Sequence, residues 1–200
     1  MTTSNSLSAR RQPKGDKRQR TRLALLDAAR TVVREKGYER TTLADVAGRA
    51  GMTTGAIYGN FKNREDLFVA LGETYWAPIR PRLKPGATFA EAMQALAAAT
   101  LAAVDERAPA AVGRLNGLAY TLTSDALRAR VRDVTAESYE IGAAWLRGFD
   151  ERDLPMPADQ LVRVLHTLME GLVLHRLLTP ELYPDEIFYA AFAALARQER

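Results

Sequence analysis

Cysteine is absent from the sequence. Its absence excludes disulfides, thiolate zinc sites and thiol catalysis, and it is typical of proteins that work in a reducing cytosol. A secretory signal is absent too, because the first 17 residues are polar and basic without an apolar core. The longest stretch of low charge, residues 92–104, is too short and too rich in alanine to cross a bilayer. We therefore expect a soluble cytoplasmic protein with no membrane partner.

Common catalytic motifs are missing as well. The sequence contains neither Gly-x-Ser-x-Gly, nor a phosphate-binding glycine loop, nor His-Glu-x-x-His. The two histidines, His166 and His175, do not have the i, i+4 spacing that would place paired zinc ligands on one helix face. We predict no catalytic residues, no metal and no cofactor, and we do not expect an enzyme.

Strand signals are scarce, and helical periodicity takes their place. Alternating β-branched runs and Asn-Gly hairpin turns are missing, whereas Leu25, Ala29 and Val32 recur at i, i+4 and i+7. Prolines, glycines and capping residues divide the chain into about nine helices. The longest is predicted to run from residue 125 to about residue 153, where Pro155 stops it. The predicted fold class is all-α, and 200 residues suffice to bury a core without disulfides or metals.

The positive charge is concentrated at one end of the chain. Residues 1–66 carry a net charge of +7 and residues 67–200 a net charge of −3. A basic head on a mildly acidic body indicates a polyanionic partner for the head, although an ordinary charged surface would give the same count. Seven basic residues near the start could lie along DNA phosphates, reach a minor groove, or form only a solvated tail. They are Arg10, Arg11, Lys14, Lys17, Arg18, Arg20 and Arg22.

The segment 42–62, TLADVAGRAGMTTGAIYGNFK, has the layout of a helix-turn-helix. Thr42 and Asp45 form a capping-box pattern at the first short helix, Gly51 marks the turn, and Thr53 caps the second helix. A helix that enters the major groove meets base edges with its amino-terminal residues, which must be short or polar for close approach. The alternative is a plain helical hairpin in which Tyr58 and Phe61 simply belong to the core. We expect Ile57 and Phe61 to be core residues that hold the second short helix against the first helix of the chain.

Residues 22–71 resemble the TetR family of transcriptional regulators. The resemblance is carried in register by Thr42, Ala50, Gly51, Thr53, Gly55, Ile57, Tyr58, Phe61, Lys62, Asp66 and Leu67. The sequence departs from the family at Gly59 and Asn60, where many members have a bulky aromatic or histidine pair. Asn60 can still form hydrogen bonds. The DNA-binding set implied by the resemblance is Thr42, Thr53, Thr54, Gly55, Ala56, Tyr58, Asn60 and Lys62.

The resemblance also implies a ligand pocket and a dimer interface in the body. Residues 159–178 and 184–197 are expected to form the helices through which a homodimer assembles. Ligand candidates combine aromatic bulk with single polar groups, although each is alternatively an ordinary core or surface residue. They are Trp76, Phe89, Met93, Asn116, Tyr120, Tyr139, Trp145, His166 and Glu170. Glu170 is alternatively expected to pair with Arg163 or Arg176, or to face solvent.

The predicted organisation has three parts. Residues 1–19 form a disordered basic arm, residues 20–66 a three-helix DNA-binding head, and residues 67–200 a helical body for ligand binding and dimerisation. The expected function is a repressor that an unknown small-molecule effector releases from a palindromic operator. A ligand-independent activator or architectural DNA-binding protein is the alternative. From another class, a helical small-molecule carrier or enzyme with a vestigial head would fit the body.

Overall fold

A computed structural model of the protein describes residues 14–75 and 78–196. All the regular secondary structure in these ranges is helical. These ranges contain nine α-helices, three short 3₁₀ turns and no strand, which confirms the all-α fold. The chain divides into two compact units, Met1–Leu71 and Gly72–Arg200, whereas we expected the boundary after residue 66. The helices are α1 (Lys14–Lys36), α2 (Leu43–Arg49), α3 (Thr54–Tyr58), α4 (Arg64–Tyr75), α5 (Phe89–Arg107), α6 (Ala111–Leu122), α7 (Asp125–Leu146), α8 (Ala158–Leu178) and α9 (Asp185–Ala196).

In the amino-terminal unit, the apolar face of α1 forms the centre of the core. Leu25, Ala29 and Val32 are buried there, as their spacing predicted. The apolar faces of α2 and α3 pack against this stripe, and Val46 and Ile57 are fully buried. The three helices therefore hold one another in fixed orientations, and only α1 is long enough to be a substantial helix by itself.

Helix α1 begins earlier than the sequence indicated. We expected a disordered arm through residue 19, but the helix starts at Lys14, so residues 14–19 are helical. Lysine, arginine and glutamine are good helix formers, and a polar segment can extend a helix whose later turns are already fixed by packing. The first 13 residues of the predicted arm, including Arg10 and Arg11, lie outside the described residues.

The core of the second unit is built around α5. Helix α5 packs against α8 and α9, while α7 packs against α8. Thr88 caps α5 through a capping box with Glu91, and the hydrogen bonds that Glu91 accepts from Thr88 lower the pKa of its carboxyl. The largest buried residues of this core are Phe89, Met93, Leu96, Leu146, Leu161, Leu165, Leu172, Phe188 and Phe192.

Helix α7 ends at Leu146, and the predicted continuation to about residue 153 is wrong. The chain instead turns at Gly148 and forms a short 3₁₀ turn over Glu151–Asp153. Asp150 caps that turn, because its carboxylate accepts a 3.0 Å hydrogen bond from the Arg152 amide. Such local side-chain bonds compete with continued helix, which a simple search for the next proline does not detect.

Helices α8 and α9 are apolar on two faces. On one face Leu161, Leu165 and Phe188 are buried in the core of their own unit. On the other face Val164 and Ile187 remain exposed, with 38% and 41% of their surface accessible. The continuous stripe that the sequence assigned to dimerisation is therefore divided between an internal core and an external surface.

None of the helices in the described ranges combines the length and the apolar character needed to cross a bilayer.

Candidate nucleic-acid interface

The start of α2 has the capping box that the sequence predicted. The Asp45 amide donates to the Thr42 hydroxyl at 3.1 Å, and the Thr42 amide donates to the Asp45 carboxylate at the same distance. Lys36 from α1 completes the arrangement with a 2.7 Å contact to Asp45. The Lys36 and Thr42 hydrogen bonds lower the pKa of Asp45 to about 2. Thr42, a predicted DNA contact, thus already has its hydroxyl engaged inside the protein.

The turn between α2 and α3 depends on a glycine in the left-handed region. Gly51 has a φ of 64°, and the following Met52 amide donates to the Ala47 carbonyl at 2.9 Å. These features end α2 and redirect the chain within two residues. Thr53 then caps α3 by accepting a 3.3 Å hydrogen bond from the Ala56 amide. Thr53 therefore acts on the helix that it precedes, as the sequence predicted.

Helix α3 has one face in the core and one face in solvent. Ile57 is fully buried and Phe61, just after the helix, is 1% exposed, so both anchor α3 as expected. Thr54 and Gly55 are exposed at the amino-terminal end, with Ala56 half-buried beside them. Tyr58 is 59% exposed, which excludes it from the core of this chain. The side chains predicted to meet DNA are therefore presented outward by a helix whose opposite face is fixed.

The side chains of Asn60 and Lys62 differ in how exposed they are to a binding partner. Lys62 is exposed, and only its backbone amide is engaged, donating to Asp66 at 3.1 Å. The Asn60 side chain is half-buried, and its amide nitrogen donates to the Ala56 carbonyl at 2.8 Å. Asn60 thereby satisfies a carbonyl in the last turn of α3. The DNA contact expected of Asn60 remains a prediction, whereas its role in ending the helix is visible.

Two arginines of α1 reach the end of α3, a placement that sequence reasoning missed. Arg22 donates to the Asn60 carbonyl at 2.9 Å, and its guanidinium lies 4.5 Å from the centre of the Phe61 ring. Arg18, one turn earlier, donates to the Gly59 carbonyl at 3.4 Å. Their i, i+4 spacing shows in the sequence that they share a face of α1. Nothing in the sequence indicates that backbone carbonyls, rather than phosphates, are their partners.

A second ion pair joins α1 to α2 in the head. Arg49 forms a two-pronged ion pair with Glu35, with nitrogen–oxygen distances of 2.8 and 2.5 Å. The hydrogen bond from Arg49 lowers the pKa of Glu35, and Glu35 in turn raises the pKa of Arg49. This pair and Lys36–Asp45 show that the number of basic residues in the head overstates the cations available to a partner.

The ligand candidates of the second unit occupy several different places. Phe89 and Met93 are core residues, and Trp145 packs on that core with its ring 5.2 Å from Phe149. Asn116 is exposed on α6 and Tyr120 is half-buried near its end. Trp76 lies outside the described residues.

Tyr139 and His166 are brought together, with ring centres 5.4 Å apart, and the Arg163 guanidinium lies 5.3 Å from the Tyr139 ring. An open groove of about 490 Å³ follows one face of α7. Among the described ligand candidates, only Tyr139 lines this groove. Its lining residues are Thr121, Arg128, Val131, Arg132, Thr135, Ala136, Tyr139, Glu140 and Arg163.

Glu170 pairs with a residue that we did not expect. Its carboxylate lies 3.0 Å from the guanidinium of Arg107, at the end of α5. Arg107 is 5% exposed, so its charge requires an anionic partner, and the half-buried Glu170 provides one from the middle of α8. Arg107 is 63 positions away in the chain, whereas helical spacing indicates only partners within one or two turns of Glu170.

Comparison with known proteins identifies the head. Residues 25–71 match the family described as bacterial regulatory proteins, tetR family. The transcriptional regulator TtgR of Pseudomonas putida is 47% identical over 53 residues, which cover 26% of this chain and 25% of TtgR. The match thus spans about a quarter of the length of the curated relatives.

Solved structures extend the likeness to the fold of most of the chain. The multidrug binding protein EbrR in complex with imidazole has a TM-score of 0.62 at 23% identity, over 90% of this chain and 92% of EbrR. NalD, the secondary repressor of the MexAB-OprM multidrug efflux pump in Pseudomonas aeruginosa, has a TM-score of 0.55 at 24% identity. That alignment covers 88% of this chain and 93% of NalD. At these identities the likeness shows the fold alone.

The fold and the capped short helices define a helix-turn-helix protein with a helical body. The match to the tetR family of bacterial regulatory proteins covers residues 25–71, about a quarter of the chain.

Replacing Gly51 with alanine should destabilise the protein by about 1–2 kcal/mol, because a Cβ strains the left-handed backbone there. Gly48→Ala is the matched control: it lies in α2 with no atom within 4 Å of the added carbon, and should stabilise by about 0.5–1 kcal/mol. Urea unfolding of both variants measures the difference. Equal effects of the two substitutions would contradict a conformational requirement at Gly51.

The contribution of Asp45 to stability should depend on pH. The pKa of Asp45 is about 2 in the folded protein, against an ordinary value of 3.8 that applies to the unfolded chain. The stabilisation by the ionised carboxylate is therefore complete above the pKa of the unfolded chain, and it is lost as the pH falls through the pKa of the folded protein. The difference in urea midpoint between the wild type and Asp45→Asn should therefore shrink between about pH 4 and pH 2. Glu39→Gln, which removes an exposed acid of the same unit, is the charge control. A difference for Asp45→Asn that stays constant with pH would refute this assignment.

Proposed function

We propose that this protein is a sequence-specific DNA-binding transcriptional regulator that uses α3 as its recognition helix. The single observation that carries the proposal is the orientation of α3. Its apolar side is fixed by Ile57 and Phe61, while Thr54 and Gly55 are exposed at the end that would meet base edges. Tyr58 is exposed at the opposite end of the helix. The family match over residues 25–71 supports the same conclusion.

Within this interface the residues have different roles. Thr54 can donate to or accept from a base edge, and Ala56 can contact a thymine methyl group. Tyr58 and Lys62 lie at the other end of the helix, where a hydroxyl and an ammonium suit backbone phosphates. Gly55 allows the backbone to approach the groove, and Thr53 holds the first turn together.

The body is proposed to form a homodimer through the exposed faces of α8 and α9. Two recognition helices on one face of DNA require half-sites separated by about one helical turn, roughly 34–36 Å, so a palindromic operator follows from a two-fold dimer. Val164, Leu178, Ile187 and Tyr189 are exposed on these helices. Large apolar side chains clustered on an otherwise polar surface are typical of an interface.

The mode of regulation is proposed to be repression relieved by a small-molecule effector. The support comes from the relatives, since NalD is named a repressor and EbrR a multidrug binding protein. An effector can shift the dimer away from the DNA-binding state only by its differential affinity for the two states. Operator release during a ligand screen would distinguish this sensor from a ligand-independent regulator. A DNA target, as proposed, implies a cytoplasmic location.

Substitutions in α3 should separate base reading from phosphate contact. Thr54→Ala should reduce the discrimination between the operator and a base-substituted operator by about 1–3 kcal/mol. Lys62→Ala should weaken binding to all sequences and reduce the slope of log K against log salt by about one. Lys84→Ala, in the other unit, is the matched control and should change neither quantity. Footprinting and anisotropy titrations, with DNA selected by the wild type from a random pool, measure both effects. A wild-type protein that protects no discrete site would refute the proposed function.

Ile187→Glu should convert the dimer to a monomer, because it places a charge in the proposed apolar contact between copies. Sedimentation equilibrium should give about twice the 22.1 kDa chain mass for the wild type and the chain mass for the variant. Val112→Glu is the control, since Val112 is an apolar residue of α6 that is 73% exposed and lies outside α8 and α9. If both variants remain dimeric, the interface lies elsewhere.

A further inference from the structure

The end of α3 is held by side chains to an unusual degree for so short a helix. With five residues, α3 cannot be stable alone, and its helical hydrogen bonds end where the Asn60 and Phe61 amides reach the Ile57 carbonyl. Asn60 satisfies the Ala56 carbonyl at 2.8 Å. Arg18 and Arg22 then satisfy the carbonyls of Gly59 and Asn60 from α1. Three polar side chains, one from the exit itself and two from α1, thus secure the chain where it leaves the helix.

Arg22 makes the central contact in this arrangement. Its hydrogen bond to the Asn60 carbonyl is short, at 2.9 Å, and it is charge-assisted. Its guanidinium also lies over Phe61, which is buried in the core, at 4.5 Å from the ring centre. A side chain that is bonded to one residue and stacked on the next fixes the direction in which the chain leaves α3.

We propose that Arg22 is a positioning residue for DNA recognition, which orients α3 by clamping the chain at Asn60 and Phe61 and does not itself contact a phosphate. The inference rests on the proposed function, because it concerns how the DNA-reading helix is held. It also changes the interpretation of the basic segment of α1. At least two of its arginines direct their guanidiniums at the protein backbone, so basic character there is not equivalent to DNA contact.

The salt dependence of binding distinguishes a positioning residue from a phosphate ligand. Loss of a phosphate contact reduces the slope of log K against log salt by about 0.9, because fewer counterions are released. Loss of a clamp weakens binding at every salt concentration and leaves that slope unchanged. It should also reduce the preference for the cognate sequence, since Thr54 and Ala56 would no longer be held in register with the bases.

The test compares Arg22→Met with Arg34→Met, which removes an exposed arginine at the other end of α1. The probes are a duplex selected by the wild type from a random pool and the same duplex with one half-site scrambled. Arg22→Met should weaken binding to the selected duplex by about tenfold or more, the effect of losing a hydrogen bond from a charged group. The salt slope should match that of the wild type, the preference over the scrambled duplex should fall, and Arg34→Met should retain both.

Amide hydrogen exchange provides a readout that needs no DNA. In Arg22→Met the amides of residues 55–61 should exchange faster, while those of α5 remain as protected as in the wild type. A reduced salt slope in Arg22→Met, or unchanged exchange together with unchanged affinity, would overturn the proposal. If the wild type selects no DNA, the proposed function fails, and exchange alone then decides whether the clamp exists. If Arg22→Met does not fold, Arg22→Gln, which keeps a neutral donor, carries the same comparison.

Discussion

A five-residue helix must be held from outside if it is to read DNA. Helix α3 lacks the length to be stable alone, so its orientation depends on contacts at its start, on its buried side and at its exit. Thr53 secures the first turn, Ile57 anchors the middle, and Arg22 with Phe61 secures the exit. The other helices of the head, by packing against α3, keep these three contacts in place. Helix α1 contributes to two of them, which explains why it is by far the longest helix of its unit.

Local patterns predicted the head well because the relevant interactions are local. The Thr42–Asp45 capping box joins residues three apart, and the turn at Gly51 requires only a backbone conformation that glycine favours. The burial of Ile57 and the exposure of Thr54 follow from the helical period. The partners of Arg18 and Arg22 could not be predicted in this way, since they are 41 and 38 positions away and are backbone atoms.

The body was predicted less accurately for the same reason. Helix identities and most boundaries were correct, but the continuation of α7 past Leu146 was wrong, because a local cap at Asp150 outweighs helical propensity there. The pairing of Arg107 with Glu170 joins α5 to α8, and no spacing rule indicates it. The apolar stripe of α9 was recognised, yet the sequence did not show that Phe188 and Phe192 fill the core of their own chain while Ile187 does not.

The ion pairs and clamps of the head leave fewer cations for the proposed DNA contact than its number of basic residues suggests. Arg18, Arg22, Lys36 and Arg49 are all engaged within the unit. Affinity for arbitrary sequence comes almost wholly from displaced counterions, so these four side chains would add little to the hold of the proposed interface on random DNA. Genomic competition would then sequester few molecules, and occupancy of a cognate site could be reached with a small cellular pool of the regulator.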